Sequence, residues 1–125
     1  MNEKKKVLVV DDEIALRRAL VDVLKSEDAF EVSEAVDGEE AFLAIKEHQP
    51  DLVLLDISMP KMDGLTVMQK LKTENALGKT KVIFLTNSGD LTNIATAMSS
   101  GAFDYLVKAD WDIKDVIARV KEKLK

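Results

Sequence analysis

The stretch VLVVDDE, residues 7–13, places four consecutive apolar residues directly before three acidic ones. A short apolar run without alternation is typical of a strand buried on both faces, as in a parallel sheet covered by helices. Carboxylates clustered at the end of such a strand repel one another unless protons or a cation neutralise them. The stretch therefore predicts a buried parallel strand whose acidic end has a binding role.

Short apolar runs and segments with helical periodicity alternate along the chain. The predicted strands are KKVLVV, FEVSEAV, DLVLLD, KVIFLT and DYLVK. Apolar residues at helical spacing follow each strand: in the first helix Leu16, Ala19, Leu20, Val23 and Leu24, and in the fourth Leu91, Ile94, Ala95 and Met98. Asp37 and Asp112 are predicted N-caps, and Gly101 is a predicted C-terminal cap. Five strands alternating with five helices predict one doubly wound α/β domain over residues 1–125, with right-handed crossovers.

Composition restricts the classes of function. The chain has 125 residues, of which 46% are hydrophobic, and this suffices for one domain with a sizeable core. The absence of Cys excludes disulfides, thiolate metal sites and a Cys nucleophile, and it fits the reducing cytoplasm. A net charge of −5 argues against direct nucleic-acid binding. The first apolar run is too short for a signal peptide or a membrane span, so we expect no membrane partner.

Polar residues follow four of the predicted strands at the point where each strand ends. They are Asp11, Asp12 and Glu13 after the first strand, Asp56 after the third, Thr86 after the fourth and Lys108 after the fifth. The carboxyl ends of parallel strands share one edge of the sheet, where ligands of open α/β folds bind, so we expect these groups to converge. A single Asp after a strand is usually a turn or helix-cap residue, but four matching strand ends form a more specific pattern.

The chemistry of these side chains indicates a cation and a phosphate. Two carboxylates about 5 Å apart repel by roughly 3 kcal/mol at an effective dielectric constant near 20, so the cluster takes up protons or binds a cation. Oxygen ligands without Cys or His favour Mg²⁺ over Zn²⁺. Lys108 and Thr86 suit phosphate oxygens, and a carboxylate can itself accept a phosphoryl group as an aspartyl phosphate.

The motifs VLVVDDE, PDLVLLDISMPKMDG, VIFLT and GAFDYLVK resemble, in order and spacing, the receiver domain of bacterial two-component response regulators. The resemblance extends from about Lys5 to the last helix. It implies a flavodoxin-like fold with strand order 2-1-3-4-5. It also implies phosphorylation by a histidine kinase or a phosphotransfer protein. The phosphorylated domain would control an output protein, as yet unidentified, through the face of the fourth helix, fifth strand and fifth helix.

The resemblance assigns metal and acceptor roles by position. Asp56 would accept the phosphoryl group, and Lys108 would pair with a phosphoryl oxygen. Asp12, Asp56 and the backbone carbonyl of Ser58 would bind Mg²⁺ directly, whereas Asp11 would act through a bound water molecule. Ser58 also occupies a position at which the family tunes the lifetime of the aspartyl phosphate.

Switching and site tuning are assigned in the same way. Thr86 would bond to the phosphoryl group and start the switch, and Tyr105 matches the aromatic residue that moves inward in active receivers. Ser88 is a second lifetime-tuning position. Two residues depart from the family pattern: Asn87 replaces a small residue and is expected to narrow access to the site, and Ala109 replaces the common Pro. A cis bond before a non-proline residue costs about 2.5–4 kcal/mol, so we expect a trans bond before Ala109, or a strained cis one.

Two other functions use related features. Haloacid-dehalogenase-like phosphohydrolases also form an aspartyl phosphate, but they carry a second Asp two residues after the nucleophile, where this chain has Ser58. Receiver-like binding modules that are never phosphorylated usually lack part of the acidic set or the lysine, and this chain has both. We therefore expect a Mg²⁺-dependent signalling phosphoacceptor that catalyses only its own phosphotransfer and dephosphorylation. A dimer formed on phosphorylation is an open alternative to a monomer.

Overall fold

Strands and helices alternate along the chain in the computed structural model, which describes residues 4–86, 91–99, 101–107 and 112–124. The strands are β1 (Lys5–Val10), β2 (Phe30–Ala35), β3 (Leu52–Asp56), β4 (Lys81–Thr86) and β5 (Asp104–Val107). The helices are α1 (Ile14–Lys25), α2 (Gly38–His48), α3 (Gly64–Thr73), α4 (Leu91–Ser99) and α5 (Ile113–Lys123). All strand pairs are parallel, in the order β2-β1-β3-β4-β5, which confirms the expected doubly wound α/β fold. Within the described ranges, no helix has the length and apolar character needed to cross a bilayer.

Side chains alternate between the two faces of the sheet and fill a hydrophobic core on each. On β1, Val7 and Val9 belong to the core beneath α1 and α5, whereas Leu8 and Val10 belong to the core beneath α2 and α3. Because both faces are covered, apolar residues are required at successive positions, which explains the run VLVV. The acidic residues that follow this run therefore lie at the carboxyl end of the strand.

The predicted helix ends are confirmed where the structure describes them. The side chain of Asp37 accepts a hydrogen bond from the backbone N–H of Glu40 at 2.9 Å. Asp112 and Asp115 form a capping box at the start of α5, each accepting from the other's backbone N–H. Gly101 follows α4 with a φ of 101°, a left-handed conformation that glycine adopts without strain. These caps satisfy backbone groups that each helix leaves without an intrahelical partner.

The predicted inward face of α4 is wrong at two positions. Ala95 is exposed and Met98 exposes 41% of its surface, whereas Ala97 is fully buried in the core that also contains Met68. Residues 91, 94, 95 and 98 have the i, i+3, i+4, i+7 spacing of one apolar face, and Ala97 lies about 60° beyond the edge of that face. Tertiary packing therefore turns the buried side of α4 toward the small Ala97, which periodicity alone does not indicate. The prediction for Leu91 and Ile94 lies outside the described side chains.

Candidate functional site

The register of the parallel strands places predicted site residues side by side at the carboxyl edge of the sheet. Val10 of β1 pairs with Leu55 of β3, so Asp11 and Asp56 are the next residues on neighbouring strands. Asp56 in turn pairs with the residue that precedes Thr86 on β4. The structure therefore brings together the predicted groups of β1, β3 and β4 at one edge.

Asp11, Asp12 and Asp56 form a cluster in which one carboxylate oxygen of each lies within 4.8 Å of the others. Asp11 and Asp56 are 0% and 1% exposed, and Asp12 is exposed. Two carboxylates at this separation repel by roughly 3 kcal/mol at an effective dielectric constant near 20. The cluster contains neither Cys nor His, and its hard oxygen donors suit Mg²⁺ better than Zn²⁺. The donor set is thus compatible with the expected metal.

Hydrogen bonds hold the turn between β1 and α1, which carries Asp11 and Asp12. Oδ1 of Asp11 accepts from the backbone N–H of Glu13 at 2.9 Å, and Glu13 is the N-cap residue of α1. Nη1 of Arg17 donates to the backbone carbonyl of Asp11 at 2.9 Å. Nε of the same guanidinium donates to Glu34 on β2 at 2.7 Å. The turn is therefore connected to both the helix and the neighbouring strand.

Arg17 is a residue beside the site that the sequence analysis missed, because a charged helical residue is ordinarily assigned to the exposed face. The position of Arg17 in the helical repeat nevertheless indicates that it is buried. Residues 17, 20, 21 and 24 have the i, i+3, i+4, i+7 spacing of a buried face, and the structure buries all four. A charged residue at the first position of such a series indicates a polar partner inside the fold.

The loop between β3 and α3 forms one wall of an open cleft beside the carboxylates. The cleft has a volume of about 470 Å³ and is lined by Asp12, Ile57, Ser58, Met59, Pro60, Asp63 and Leu65. Ser58 and Asp63 are exposed. The backbone N–H of Gly64 donates to the carbonyl of Ile57 at 2.8 Å and closes the loop. The acidic cluster is therefore accessible from solvent on the side of Asp12.

Two glycines permit close backbone contacts around this loop. A Cβ on Gly64 would lie 2.3 Å from the carbonyl oxygen of Asp56, and a Cβ on Gly38 would lie 2.1 Å from that of Met62. Both distances are far shorter than a van der Waals contact, and both neighbours are backbone atoms that cannot rotate away. The starts of α2 and α3 therefore pack directly against the segment that contains Asp56 and the loop after it.

The residues predicted to act as a switch lie on the other side of Asp56. Thr86 ends β4 and is 4% exposed. Tyr105 on β5 pairs with Phe84 and packs, partly buried, against the core that contains Ala97. Next to Tyr105, the carboxylate of Asp104 accepts a hydrogen bond from Arg119 of α5. The predicted site residues Asn87, Ser88, Lys108 and Ala109 lie outside the described residues, as does the peptide bond before Ala109.

Comparisons with known proteins agree with this geometry. The sequence profile of the response regulator receiver domain matches residues 7–121. The chain is 43% identical over 122 residues to the probable transcriptional regulator ycf27 of Cyanophora paradoxa, covering 98% of this chain and 49% of that protein. It is 34% identical over 122 residues to the DNA-binding response regulator MtrA of Mycolicibacterium paratuberculosis, with 98% and 52% coverage. The chain thus spans about half the length of these curated relatives.

A solved structure shows the same architecture. The CheY-like response regulator receiver domain protein from Methanospirillum hungatei superimposes with a TM-score of 0.87 at 29% sequence identity. The superposition covers 98% of this chain and 94% of that one.

Proposed function

The chain belongs to the response regulator receiver domain family, and from this membership we propose that it is a phosphorylation-regulated signalling domain in which Asp56 is the phosphoryl acceptor. The observation that carries the assignment of Asp56 is its position. It is buried at the end of β3, has carboxylate neighbours within 4.8 Å, and pairs with the residue before Thr86. The donor would be a phosphohistidine of a kinase or phosphotransfer protein. The domain would catalyse only its own phosphotransfer and dephosphorylation.

The transfer exchanges one bond to phosphorus for another. A carboxylate oxygen of Asp56 attacks the phosphorus atom, the bond from phosphorus to the donor's imidazole nitrogen breaks, and that nitrogen retains the electron pair and takes up a proton. Asp56 is held at the end of a fully buried strand, so its carboxylate is positioned before the donor arrives. The open cleft beside Asp12 gives the donor an approach from solvent.

The carboxylates and the phosphoryl oxygens carry like charge, which opposes the transfer. Asp11, Asp12, Asp56 and the backbone carbonyl of Ser58 would hold Mg²⁺. The bound ion supplies charge neutralisation at the acceptor and at the phosphoryl oxygens. Three carboxylate oxygens within 4.8 Å support this assignment. Lys108 would add a second positive charge at the phosphoryl oxygens.

Phosphorylation would then act through Thr86 and Tyr105. The phosphoryl group itself carries about 1.5 to 2 negative charges, replaces the single charge of the Asp56 carboxylate and brings new acceptor oxygens beside the end of β4. A hydrogen bond from Thr86 to these oxygens would move its side chain toward Asp56, and the partly buried Tyr105 on the adjacent strand would follow. The face of α4, β5 and α5 would thereby shift between two arrangements. We propose that Asn87 narrows access to the phosphorylation site, and that Ser58 and Ser88 tune the lifetime of the aspartyl phosphate.

The output partner would bind this α4-β5-α5 face, either as part of the same polypeptide or as a separate protein. The printed names of the two curated relatives describe a transcriptional regulator and a DNA-binding response regulator. We therefore propose a transcriptional output in the cytoplasm, with DNA contacted by another domain or protein, because this chain has a net charge of −5. A second copy of the domain could occupy the same face on phosphorylation.

Intact-mass measurement after incubation with acetyl phosphate tests the acceptor assignment. Wild type should gain one phosphoryl group in the presence of Mg²⁺ and none with a chelator, and Asp56→Asn should gain none in either condition. Asp63→Asn is the matched control, because Asp63 lines the same cleft but lies outside the carboxylate cluster. Its side chain accepts a hydrogen bond from the backbone N–H of Thr66, which Asn can also accept, so this variant should be phosphorylated as wild type.

Phosphorylation of Asp56→Asn at a rate equal to wild type would place the acceptor elsewhere. No phosphorylation of wild type, together with no binding of beryllofluoride, would support a binding module that phosphorylation does not regulate.

A further inference from the structure

We propose that Arg17 is a positioning residue for the metal-binding carboxylates, and that it acts by holding the peptide between Asp11 and Asp12. The inference rests on the proposed function, because it assumes that these carboxylates bind Mg²⁺. It adds a residue outside the acidic cluster to the determinants of metal affinity.

The burial of Arg17 is the first observation. The residue is 5% exposed, although it lies only one turn from the start of α1 and its neighbour Arg18 is exposed. Removing a guanidinium from water is costly unless hydrogen bonds and an opposite charge compensate. Arg17 has both, in the carbonyl oxygen of Asp11 at 2.9 Å and the carboxylate of Glu34 at 2.7 Å.

The carbonyl that Arg17 binds belongs to the peptide unit that joins two predicted metal ligands. This unit is planar, so fixing its oxygen also fixes the orientation of the Cα atoms of Asp11 and Asp12 on either side. The other contact of the turn acts in the same sense, since Oδ1 of Asp11 accepts from the backbone N–H of Glu13. Arg17 thus restrains the directions in which both carboxylates leave the backbone. Side chains that orient metal ligands in this way commonly alter metal affinity.

Because Glu34 neutralises its charge, Arg17 acts on the metal-binding turn through its hydrogen bonds and not through a net positive charge. The carboxylate of Glu34 neutralises the guanidinium at 2.7 Å, so the ion pair exerts little net repulsion on a cation bound nearby. Glu34 lies on β2 and pairs with Val9 of β1, so the restraint is anchored in the sheet. The network therefore runs from the sheet through Arg17 to the metal-binding turn.

Isothermal titration of the protein with MgCl₂ tests the proposal. Arg17→Gln should weaken Mg²⁺ binding about tenfold, because the shorter neutral side chain cannot bond to the Asp11 carbonyl and Glu34 together. Arg18→Gln is the matched control, since it removes the same charge from the adjacent exposed position, and its Mg²⁺ affinity should equal that of wild type. Arg17→Lys retains the charge and one donor and should show a smaller loss, of about threefold.

A second readout separates positioning from a purely structural role. The Mg²⁺ concentration that gives half-maximal phosphorylation by acetyl phosphate should rise about tenfold in Arg17→Gln, in parallel with the dissociation constant. The maximal rate at saturating Mg²⁺ should stay close to that of wild type, because Asp56 is unchanged. Arg17→Lys provides the same comparison if Arg17→Gln does not fold. Folding is checked by thermal denaturation with a chelator.

The outcomes distinguish the two proposals. If wild type does not bind Mg²⁺, the proposed metal site itself fails. If wild type binds and both Arg17 variants bind with the same affinity, the site stands and Arg17 only stabilises the packing of α1 on β2. A loss in Arg18→Gln equal to that in Arg17→Gln would show that net charge is responsible, and would likewise overturn the positioning role.

Discussion

The amino end and the carboxyl end of the sheet arrange their polar groups in opposite ways. At the amino end, hydrogen-bond donors are paired with acceptors. The carboxylate of Asp51 accepts from the backbone N–H of Lys6 at 2.7 Å, and the hydroxyl of Thr80 donates to the carbonyl of Pro50 at 2.7 Å. Such hydrogen bonds stabilise the fold, because each satisfies a polar group that loses water on folding.

At the carboxyl end, like charges are gathered. Asp11, Asp12 and Asp56 place carboxylate oxygens within 4.8 Å of one another, and two of these residues are buried. Repulsion between these carboxylates opposes folding at this end of the sheet, and a bound cation would reduce it. We therefore expect substitutions at the amino end of the sheet to alter stability alone. Substitutions at the carboxyl end should alter ligand binding, and some of them should raise stability.

The largest expected effect at the carboxyl end is steric. In Gly64→Ala the new Cβ would meet the carbonyl oxygen of Asp56 at 2.3 Å, and backbone atoms must move to accommodate it. We expect the free energy of unfolding in urea to fall by roughly 2–3 kcal/mol. The rate of phosphorylation by acetyl phosphate should also fall, because the displaced backbone belongs to the acceptor residue.

Gly78→Ala is the control for this prediction at the amino end. Gly78 has a φ of 60°, and a Cβ there would meet only the side chain of Gln49, at 2.3 Å. The left-handed conformation makes this variant less stable by about 1 kcal/mol, and its phosphorylation rate should not change. Equal rate losses in both glycine variants would show that the effect of Gly64 comes from general destabilisation.

The sequence predicted which residues come together at the carboxyl end of the sheet better than it predicted the contacts at the amino end. Asp11 and Asp56 follow apolar strands, and the topology of parallel strands brings such ends together whatever the details of the loops. The pairs formed by Thr80 and Asp51 depend on the paths of two loops, which no periodic pattern encodes. Sequence also could not determine that Asp11 is buried and Asp12 exposed, because the direction of each side chain depends on the turn that Arg17 and Glu13 hold.

Apolar periodicity identified the helices more reliably than it identified their buried sides. In α5 the apolar residues Val116, Ile117 and Val120 are buried, and the opposite face of that helix is polar. In α4 residues 91, 94, 95 and 98 form one apolar face in the sequence, but Ala97 is buried and Met98 is exposed, because packing against the core sets the orientation of the helix. Pattern reasoning therefore fails where tertiary packing, and not the apolar stripe alone, decides which side is buried.

A smaller effect is expected from Thr80 at the amino end. Thr80→Val preserves the shape of this buried side chain but removes the hydroxyl that donates to the carbonyl of Pro50. The carbonyl would remain buried without this donor, so urea denaturation should show a loss of about 1.5 kcal/mol. Mg²⁺ affinity and phosphorylation should match wild type. A change in either would mean that the two ends of the sheet are coupled.

The smallest effect, and one of opposite sign, is expected from Asp11→Asn. The substitution preserves an oxygen that can accept from the backbone N–H of Glu13 and removes one charge from the cluster. With a chelator present, relief of repulsion should raise the free energy of unfolding by about 1 kcal/mol in urea denaturation at low ionic strength. Asp63→Asn, which lies outside the cluster, should leave this free energy unchanged.

Adding Mg²⁺ should reverse the order of stability. At a hundred times its dissociation constant the ion stabilises wild type by about 2.7 kcal/mol, since it binds the folded state alone. If Asp11→Asn binds the ion more than about tenfold more weakly, it gains at most about 1.4 kcal/mol at the same concentration, which is too little to keep its advantage of about 1 kcal/mol. Wild type should then be the more stable protein. If Asp11→Asn is less stable than wild type both with and without Mg²⁺, the attractive contacts of Asp11 outweigh the repulsion within the cluster, and the proposed contrast between the two ends is wrong.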